Sequence, residues 1–243
     1  MYLRGIRLVR DQVPGFDDYP FAIPAVRELD ELELDPGVTF LIGENGSGKS
    51  TLIEAIAVVA GFNAEGGTKN FNFETRRTES PLHRFVRPIR GARRERDGFF
   101  LRAESYFNVA TEIDRLGVVE SYGGVSLHEQ SHGESFLALA NHRFHGHGLY
   151  ILDEPEAALS PQRQLSLLSI IHDLVEERAS QLVIATHSPI LMAYPGARIY
   201  RLGTDGITRI AYEKTEHYLI TREFLNAPAR FFKTLFAKVD GDR

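Results

Sequence analysis

The sequence contains no cysteine. Disulfide frameworks and thiolate metal sites are thereby excluded, and the composition suits a reducing compartment such as the cytoplasm. Long apolar runs are also missing: the longest, Ala55 to Ala60, falls far short of the roughly 20 residues that span a bilayer. The opening residues, Met1-Tyr2-Leu3-Arg4-Gly5-Ile6-Arg7, alternate as a strand does and hold no apolar core of signal-peptide length. There is no global excess of positive charge. The net charge is −5, so nothing global argues for a nucleic-acid binder. Repeats and low-complexity segments are absent, and no glutamine lies between Gln12 and Gln130. What remains is ordinary for a globular protein, with 43% hydrophobic and 25% charged residues. A length of 243 residues fits one large α/β domain, or one with a modest subdomain.

Residues 32–42 read as an alternating strand, an Asp35-Pro36-Gly37 turn and a short apolar run suited to a buried strand. Lys49 to Ala60 has a helical pattern, with Gly61 as its stop. Residues 63–98 lose periodicity and read as a surface excursion. Alternation returns from Phe99 to Val109, with Leu101, Ala103, Ser105, Phe107 and Val109 on one face. Glu134 to Phe144 reads as a helix and Leu149 to Leu152 as a buried strand. Ser160-Pro161 caps a helix carrying Leu165, Leu168, Ile171 and Leu174 on one side. Leu182 to Ala185 is another buried strand, residues 197–212 a hairpin around Thr204-Asp205-Gly206, and residues 216–238 a helical tail expected to pack on the body. Strands alternating with helices predict an α/β fold with a mainly parallel sheet flanked by helices.

Gly43-Glu44-Asn45-Gly46-Ser47-Gly48-Lys49-Ser50 fits the pattern G-x-x-x-x-G-K-[ST], with a buried strand before it and a helix from Lys49 after it. Glycines let the backbone curl until several N–H groups point at phosphate oxygens, and the helix start adds a favourable dipole. Lys49 supplies a mobile positive charge for the β- and γ-phosphates, while Ser50 offers a hydroxyl to Mg²⁺. The motif alone specifies a nucleoside triphosphate.

Downstream, the apolar strand from Leu149 ends in Asp153-Glu154. Asp153 suits the Mg²⁺ ion through its water shell, and Glu154 is placed to polarise an attacking water. His187 follows the next buried strand, 34 residues after Asp153, where an imidazole can reach a γ-phosphate. His128, His132, His142, His145 and His147 lack that placement and fit no metal-ligand spacing. Ser131-His132-Gly133-Glu134 opens a helix, and free N–H groups with a hydroxyl there make a second anion site. Two anion sites suggest a composite pocket closed by another subunit.

In this order the motifs resemble those of the ATP-binding-cassette (ABC) ATPases: a phosphate loop over Gly43–Thr51, a signature at Ser131–Glu134, Asp153-Glu154-Pro155, a D-loop at Ala158-Leu159-Ser160, and a switch histidine at His187. Ser131 stands 22 residues before Asp153, a spacing similar to the family's. The resemblance covers residues 38 to 190. It implies a P-loop fold of the ABC type, ATP and Mg²⁺ as ligands, and two subunits sandwiching two ATP molecules. Glu154, His187 and Lys49 would be catalytic; Gly43 to Thr51 with Ser131, Gly133 and Glu134 would hold nucleotide; Ser50 and Asp153 would hold the metal. A single domain over 1–243 is expected, with an arm and signature subdomain over about 63–145. Some residues depart from the pattern. His132 stands where the family has a glycine, Ser160 where it has an aspartate, and Glu134 resembles the chromosome-maintenance and break-repair branch. The family's coupling glutamine is missing, with Asn70, Asn72 or Glu74 as candidate replacements. Tyr19 and Phe21 are candidates for stacking on adenine.

Lys49 and Ser131 lie 82 residues apart, room for a small subdomain but not for a very long coiled coil. The missing glutamine disfavours a transporter subunit, and the chain resembles the compact, stand-alone bacterial ATPases of this type. Between Arg76 and Arg102 there are nine arginines, no lysine and three acids. Arginine forks suit phosphate backbones. Three kinds of work therefore stay open: an ATP-dependent homodimer acting on nucleic acid, the energising subunit of a membrane permease, and an ATP-dependent switch that recruits a protein.

Overall fold

The computed structural model describes residues 1–69 and 80–237. Its strands and helices run β1 (Leu3–Leu8), α1 (Pro24–Arg27), β2 (Glu31–Glu33), β3 (Val38–Ile42), α2 (Lys49–Ala60), β4 (Val86–Arg90), β5 (Asp97–Arg102), α3 (Tyr106–Leu116), α4 (His132–Arg143), β6 (Gly148–Asp153), α5 (Pro161–His172), β7 (Gln181–Ala185), α6 (Pro189–Met192), β8 (Arg198–Gly203), β9 (Gly206–Arg209), α7 (Glu216–Asn226) and α8 (Pro228–Leu235). Six strands form one sheet in the order β5-β6-β7-β3-β8-β9, and three form a second, β2-β1-β4. In the large sheet the first five strands are parallel and only β9 runs against its neighbour.

The period of two along each central strand splits the core in two. Val38, Phe40, Phe99, Tyr150, Leu152 and Ile184 face one cluster, filled by Val109 and Ile113 of α3, Phe136 and Leu139 of α4, and Leu167 and Ile171 of α5. Leu41, Phe100, Leu149, Ile151 and Val183 face the other, with Leu52, Ile53 and Ile56 of α2 and with Leu3 and Ile6 of the small sheet. Both faces are covered, as a parallel sheet requires. Gln181 ties the two sheets together. Its Oε1 accepts from the N–H groups of Tyr2 and Leu3, each at 3.0 Å, and its Nε2 donates to the carbonyls of Leu3 and Asp35, each at 2.7 Å.

Several expectations from sequence are corrected. The excursion read over 63–98 contains β4, which pairs with β1 at an edge of the small sheet, and the start of β5. The strand read from Phe99 to Val109 stops at Arg102, and α3 takes over. Tyr106, Val109, Ala110 and Ile113 are buried at helical spacing, whereas Phe107 is 65% exposed. In α5 the inward face carries Leu167, not Leu165, which is 51% exposed. The tail does form helices, and the start of α7 meets α6 and His187, but no residue of α7 or α8 is buried. Their phenylalanines, Phe224, Phe231, Phe232 and Phe236, pack on one another instead. Among the described residues, no helix is long and apolar enough to cross a membrane.

Candidate functional site

Open parallel sheets bind ligands beyond the carboxyl ends of their strands, where the chain reverses direction across the sheet. Here that point is β3, which has β7 on one side and β8 on the other. The carboxyl end of β3 leads into the loop Gly43–Gly48 and then α2. Gly48 caps α2 with φ 97°, and a Cβ there would stand 2.8 Å from Cγ2 of Ile23. A side chain is excluded on both counts. The loop opens onto a cavity of about 690 Å³, walled opposite by Arg201–Thr204, Thr208–Ile210 and Lys214–His217.

Lys49 is 4% exposed. Its Nζ donates to the carbonyls of Gly43 at 2.8 Å and Glu44 at 3.1 Å. Burial holds its pKa below the usual lysine value, against the pull of Glu154 and Asp153. A buried ammonium resting on its own loop's carbonyls is a ready partner for phosphate oxygens. The hydroxyl of Ser47 is buried without a hydrogen-bond partner among the described residues, a further polar atom for an incoming oxygen to satisfy.

On the neighbouring strands, β6 ends at Asp153 and β7 at Ala185. Ser50 Oγ donates to Asp153 Oδ1 at 3.4 Å. Burial pushes the Asp153 carboxyl up to about 7; the Arg102 guanidinium works against that shift, and Glu154 and Glu104 add to it. Glu154 lies in the left-handed region, φ 53° and ψ 51°, an unusual backbone for a residue with a side chain and one that recurs at functional sites. Its Oε1 is 3.5 Å from Nε2 of His187. Thus the phosphate loop, Asp153, Glu154 and His187 converge at one edge of the sheet.

Ser131, Gly133 and Glu134 gather elsewhere. They open α4, with Ser131 as N-cap and Glu134 at the third helical position. The Glu134 carboxylate accepts from Ser131 Oγ at 2.5 Å and from Ser131 N at 3.2 Å, which holds its pKa below the usual range. Arg163 of α5 pairs with Glu134 at 3.2 Å. Gly133 is required by packing: a Cβ would stand 2.8 Å from the Ala158 carbonyl. Among the described residues lining the phosphate-loop cavity, none comes from this segment.

Four participants escaped the sequence reading. Arg102 ends β5 beside β6, its Nε 3.6 Å from Asp153 Oδ2 and its Nη1 2.8 Å from Glu54 Oε2. Glu104, two residues on, is the exposed acid whose charge also acts on Asp153. Glu156 accepts from Thr186 Oγ1 at 2.7 Å and from His187 N at 2.5 Å. His217, at the start of α7, lies 3.2 Å from His187 through Nε2 and Nδ1. Nothing local in the sequence singles out Arg102, whose strand is buried throughout between its ends, or His217. Asn70, Asn72 and Glu74 lie outside the described residues. Phe21 is a core residue, edge-on to Phe16 and Phe85, so it is removed as an adenine platform. Tyr19 is 62% exposed and touches Thr51 through its hydroxyl at 3.3 Å.

A nucleotide-binding α/β fold of the P-loop class is thus defined by its sheet order and by the loop at its switch point. Comparison with known proteins narrows the class. Residues 20–108 match a family profile described as "AAA domain", and residues 102–193 match one described as "AAA domain, putative AbiEii toxin, Type IV TA system". The thiamine import ATP-binding protein ThiQ of Vibrio parahaemolyticus is 27% identical over 176 residues, 65% of this chain and 73% of its own. ThiQ of Photobacterium profundum is 27% identical over 169 residues, 61% and 67% of the two chains. A solved inward-facing ABC transporter, described as of metal-chelate type, superposes with a TM-score of 0.52 at 17% identity, covering 90% of this chain and 88% of that one. The chain is thus similar to the ABC-type P-loop ATPases, and like them it binds ATP and hydrolyses it.

Proposed function

We propose that the protein works in the cytoplasm as an ATP-dependent homodimer, with each of two ATP molecules held between one protomer's phosphate loop and its partner's α4 start. One observation supports this above all: Lys49, Asp153, Glu154 and His187 converge at the loop, while Ser131 and Glu134 are exposed and bond to each other and to Arg163. A second protomer is the simplest way to bring the two together. The segment between β5 and β6, with α3 and α4, then acts as the signature arm.

Within a protomer, Gly43 to Thr51 cradle the phosphates, and Lys49 exchanges its two carbonyl partners for phosphate oxygens. Ser50 and Asp153 fit a magnesium ion, which binds through one or two protein oxygens plus phosphate and water; no three-residue metal cluster occurs among the described residues. Such an ion supplies charge neutralisation between the phosphates. Glu154 takes the proton of the attacking water, and His187 orients the γ-phosphate. Arg102, at the end of the adjoining strand, lies next to Asp153, and the charge of Glu104 acts on the same carboxylate.

Nucleic acid is the working partner we favour. Of the nine arginines between 76 and 102, Arg76 and Arg77 lie outside the described residues, and Arg90 and Arg102 are held by Glu95 and Glu54. Arg84, Arg87, Arg93, Arg94 and Arg96 are exposed. The likeness to ThiQ supports a second reading, an ATP-binding subunit of an importer. Two measurements decide. Light scattering of a Glu154→Gln protein with and without MgATP should show an ATP-dependent dimer, and a protein that holds ATP yet stays monomeric would refute the sandwich. Turnover with and without duplex DNA at low salt should differ several-fold; equal rates, with no DNA bound, would favour the importer reading.

A further inference from the structure

We propose that His217 is a positioning residue for His187: its Nε2–H donates to Nδ1 of His187 and so fixes the tautomer that presents an Nε2–H to Glu154 and the phosphate site. The inference rests on the role of His187 given above and adds a residue outside every motif of the sequence.

The two rings meet through His187 Nδ1 and His217 Nε2 at 3.2 Å, with centroids 5.3 Å apart and planes inclined by 53°. One nitrogen of the pair must donate and the other accept. The far side of His187 decides which. Its Nε2 is buried, has no hydrogen-bond partner among the described residues and lies 3.5 Å from the Glu154 carboxylate. A bare lone pair facing a carboxylate is repelled, whereas an N–H is attracted, so the proton belongs on Nε2. In a neutral imidazole the other nitrogen is then an acceptor. His217 must supply the donor.

The surroundings agree. Burial keeps the His217 ring below the ordinary histidine pKa; His187 and Lys49 push the same way, while Glu44 and Glu216 oppose. A neutral ring with its proton on Nε2 leaves Nδ1 bare, and His217 Nδ1 has no hydrogen-bond partner. The backbone on both sides is pinned. Glu156 holds the N–H of His187, so ring orientation and tautomer are the remaining freedoms. Thr215 is fully buried; its hydroxyl donates to the Tyr212 carbonyl at 2.8 Å and accepts from Tyr218 N at 3.3 Å. Tyr212 in turn donates to the carbonyl of Pro189, in α6 just beyond His187. The donor therefore stands on a rigid corner built against the switch segment, which positioning demands.

Three substitutions separate this role from packing. His217→Phe keeps a ring and removes the donor. His217→Gln restores an N–H near the place of Nε2, and His217→Asn places its amide near Nδ1, too short to reach. In the full-length protein, Phe and Asn should lower kcat about tenfold or more, the usual effect of losing the partner that orients a functional imidazole. KM for ATP should stay within about twofold, and Gln should recover most of the rate. Adding His217→Phe to His187→Ala should cost nothing further, since both remove one interaction. Nitrogen-15 spectra of labelled imidazoles give a readout independent of turnover: His187 should be protonated at Nε2 in the wild type and mixed between tautomers in His217→Phe. The proposal is overturned by wild-type kcat in His217→Phe, by Gln as slow as Phe, by multiplicative losses in the double variant, or by a wild-type His187 protonated at Nδ1. Full turnover in His187→Ala would instead refute the role of His187 itself, and this proposal with it.

Discussion

If Glu154 is the base, replacing it by glutamine should separate catalysis from binding at this site. The two side chains match in size, and Gln meets the same left-handed backbone, φ 53°, at much the same cost, so the fold is kept. The Glu154 side chain is 38% exposed and lies 3.5 Å from His187 Nε2 with no hydrogen bond, so little stability depends on its charge. Its chemical effect is large. Losing a positioned base costs about 10²–10⁴ in rate, which is about 2.7–5.4 kcal/mol of barrier at 1.36 kcal/mol per tenfold. Binding moves the other way. Glu154 is the carboxylate that acts most strongly on Lys49, and the same negative charge opposes the γ-phosphate, so its removal leaves ATP binding intact or tighter. Phosphate release at saturating MgATP, paired with equilibrium titration of a fluorescent ATP analogue, reads both effects. Turnover within about fivefold of wild type would refute the assignment of Glu154 as base; loss of ATP binding together with turnover would show that it binds rather than activates.

Gln181→Leu should strand two buried N–H groups and two carbonyls where the sheets join, costing about 2–4 kcal/mol and lowering the thermal midpoint by roughly 5–15 °C; an unchanged midpoint would refute the stitch. Asp97 accepts from Arg143 and Tyr150, each at 2.6 Å, and from His145 N at 3.1 Å. Burial alone would raise its pKa, but the Tyr150 hydroxyl and Arg143 outweigh that and hold it below 3.8. Its stabilisation is therefore complete above the unfolded value and is lost as pH falls through the depressed folded value. Asp97→Asn should cost about 3 kcal/mol near neutrality, and the gap from wild type in thermal melts should close in acid; a gap constant down to pH ~3 would contradict this. Charge reversal at the exposed Arg84, Arg93 and Arg94 should flatten the salt dependence of any DNA binding by about 0.9 per lost phosphate contact while leaving basal turnover alone.

The phosphate loop, the carboxylates ending β6 and the histidine after β7 were legible because each is a local signal: an apolar run, then chemistry at its carboxyl end. Elements that depend on partners distant in sequence were not. β4 carries Pro88 and alternates weakly, and its pairing with β1 bridges about eighty residues of chain. Proline is tolerated there because β4 is an edge strand. In α3 the helical period was present at Tyr106, Val109, Ala110 and Ile113, but a five-residue alternation running out of β5 masked it; short apolar windows fit both periods. The tail shows the opposite failure. Its aromatic spacing does specify helices, yet spacing cannot say what surface an apolar stripe will meet. Arg102 and His217 become visible only once strand order and the α6–α7 corner bring them beside Asp153 and His187.

Ser160 stands in place of the family's D-loop aspartate, and its contacts are local. Ser160 caps α5 and accepts from Arg163 N. Arg163 then reaches back to Glu134 and, at 3.3 Å, to Ser131 Oγ. On the same turn the Ala158 carbonyl is packed against Gly133. Two residues earlier, Glu156 holds both Thr186 and the N–H of His187. The short turn from Pro155 to Ala158 therefore touches the start of α4 at one end and the switch histidine at the other. A displacement of α4 would act on Ala158 directly. That turn is only four residues long and begins immediately after Glu154, so it has little slack to absorb such a movement before Glu156 and His187 feel it. The serine thus serves as a cap, and the contacts that lead from α4 to the segment carrying His187 run through Arg163 and Glu156, two charged side chains held by specific partners.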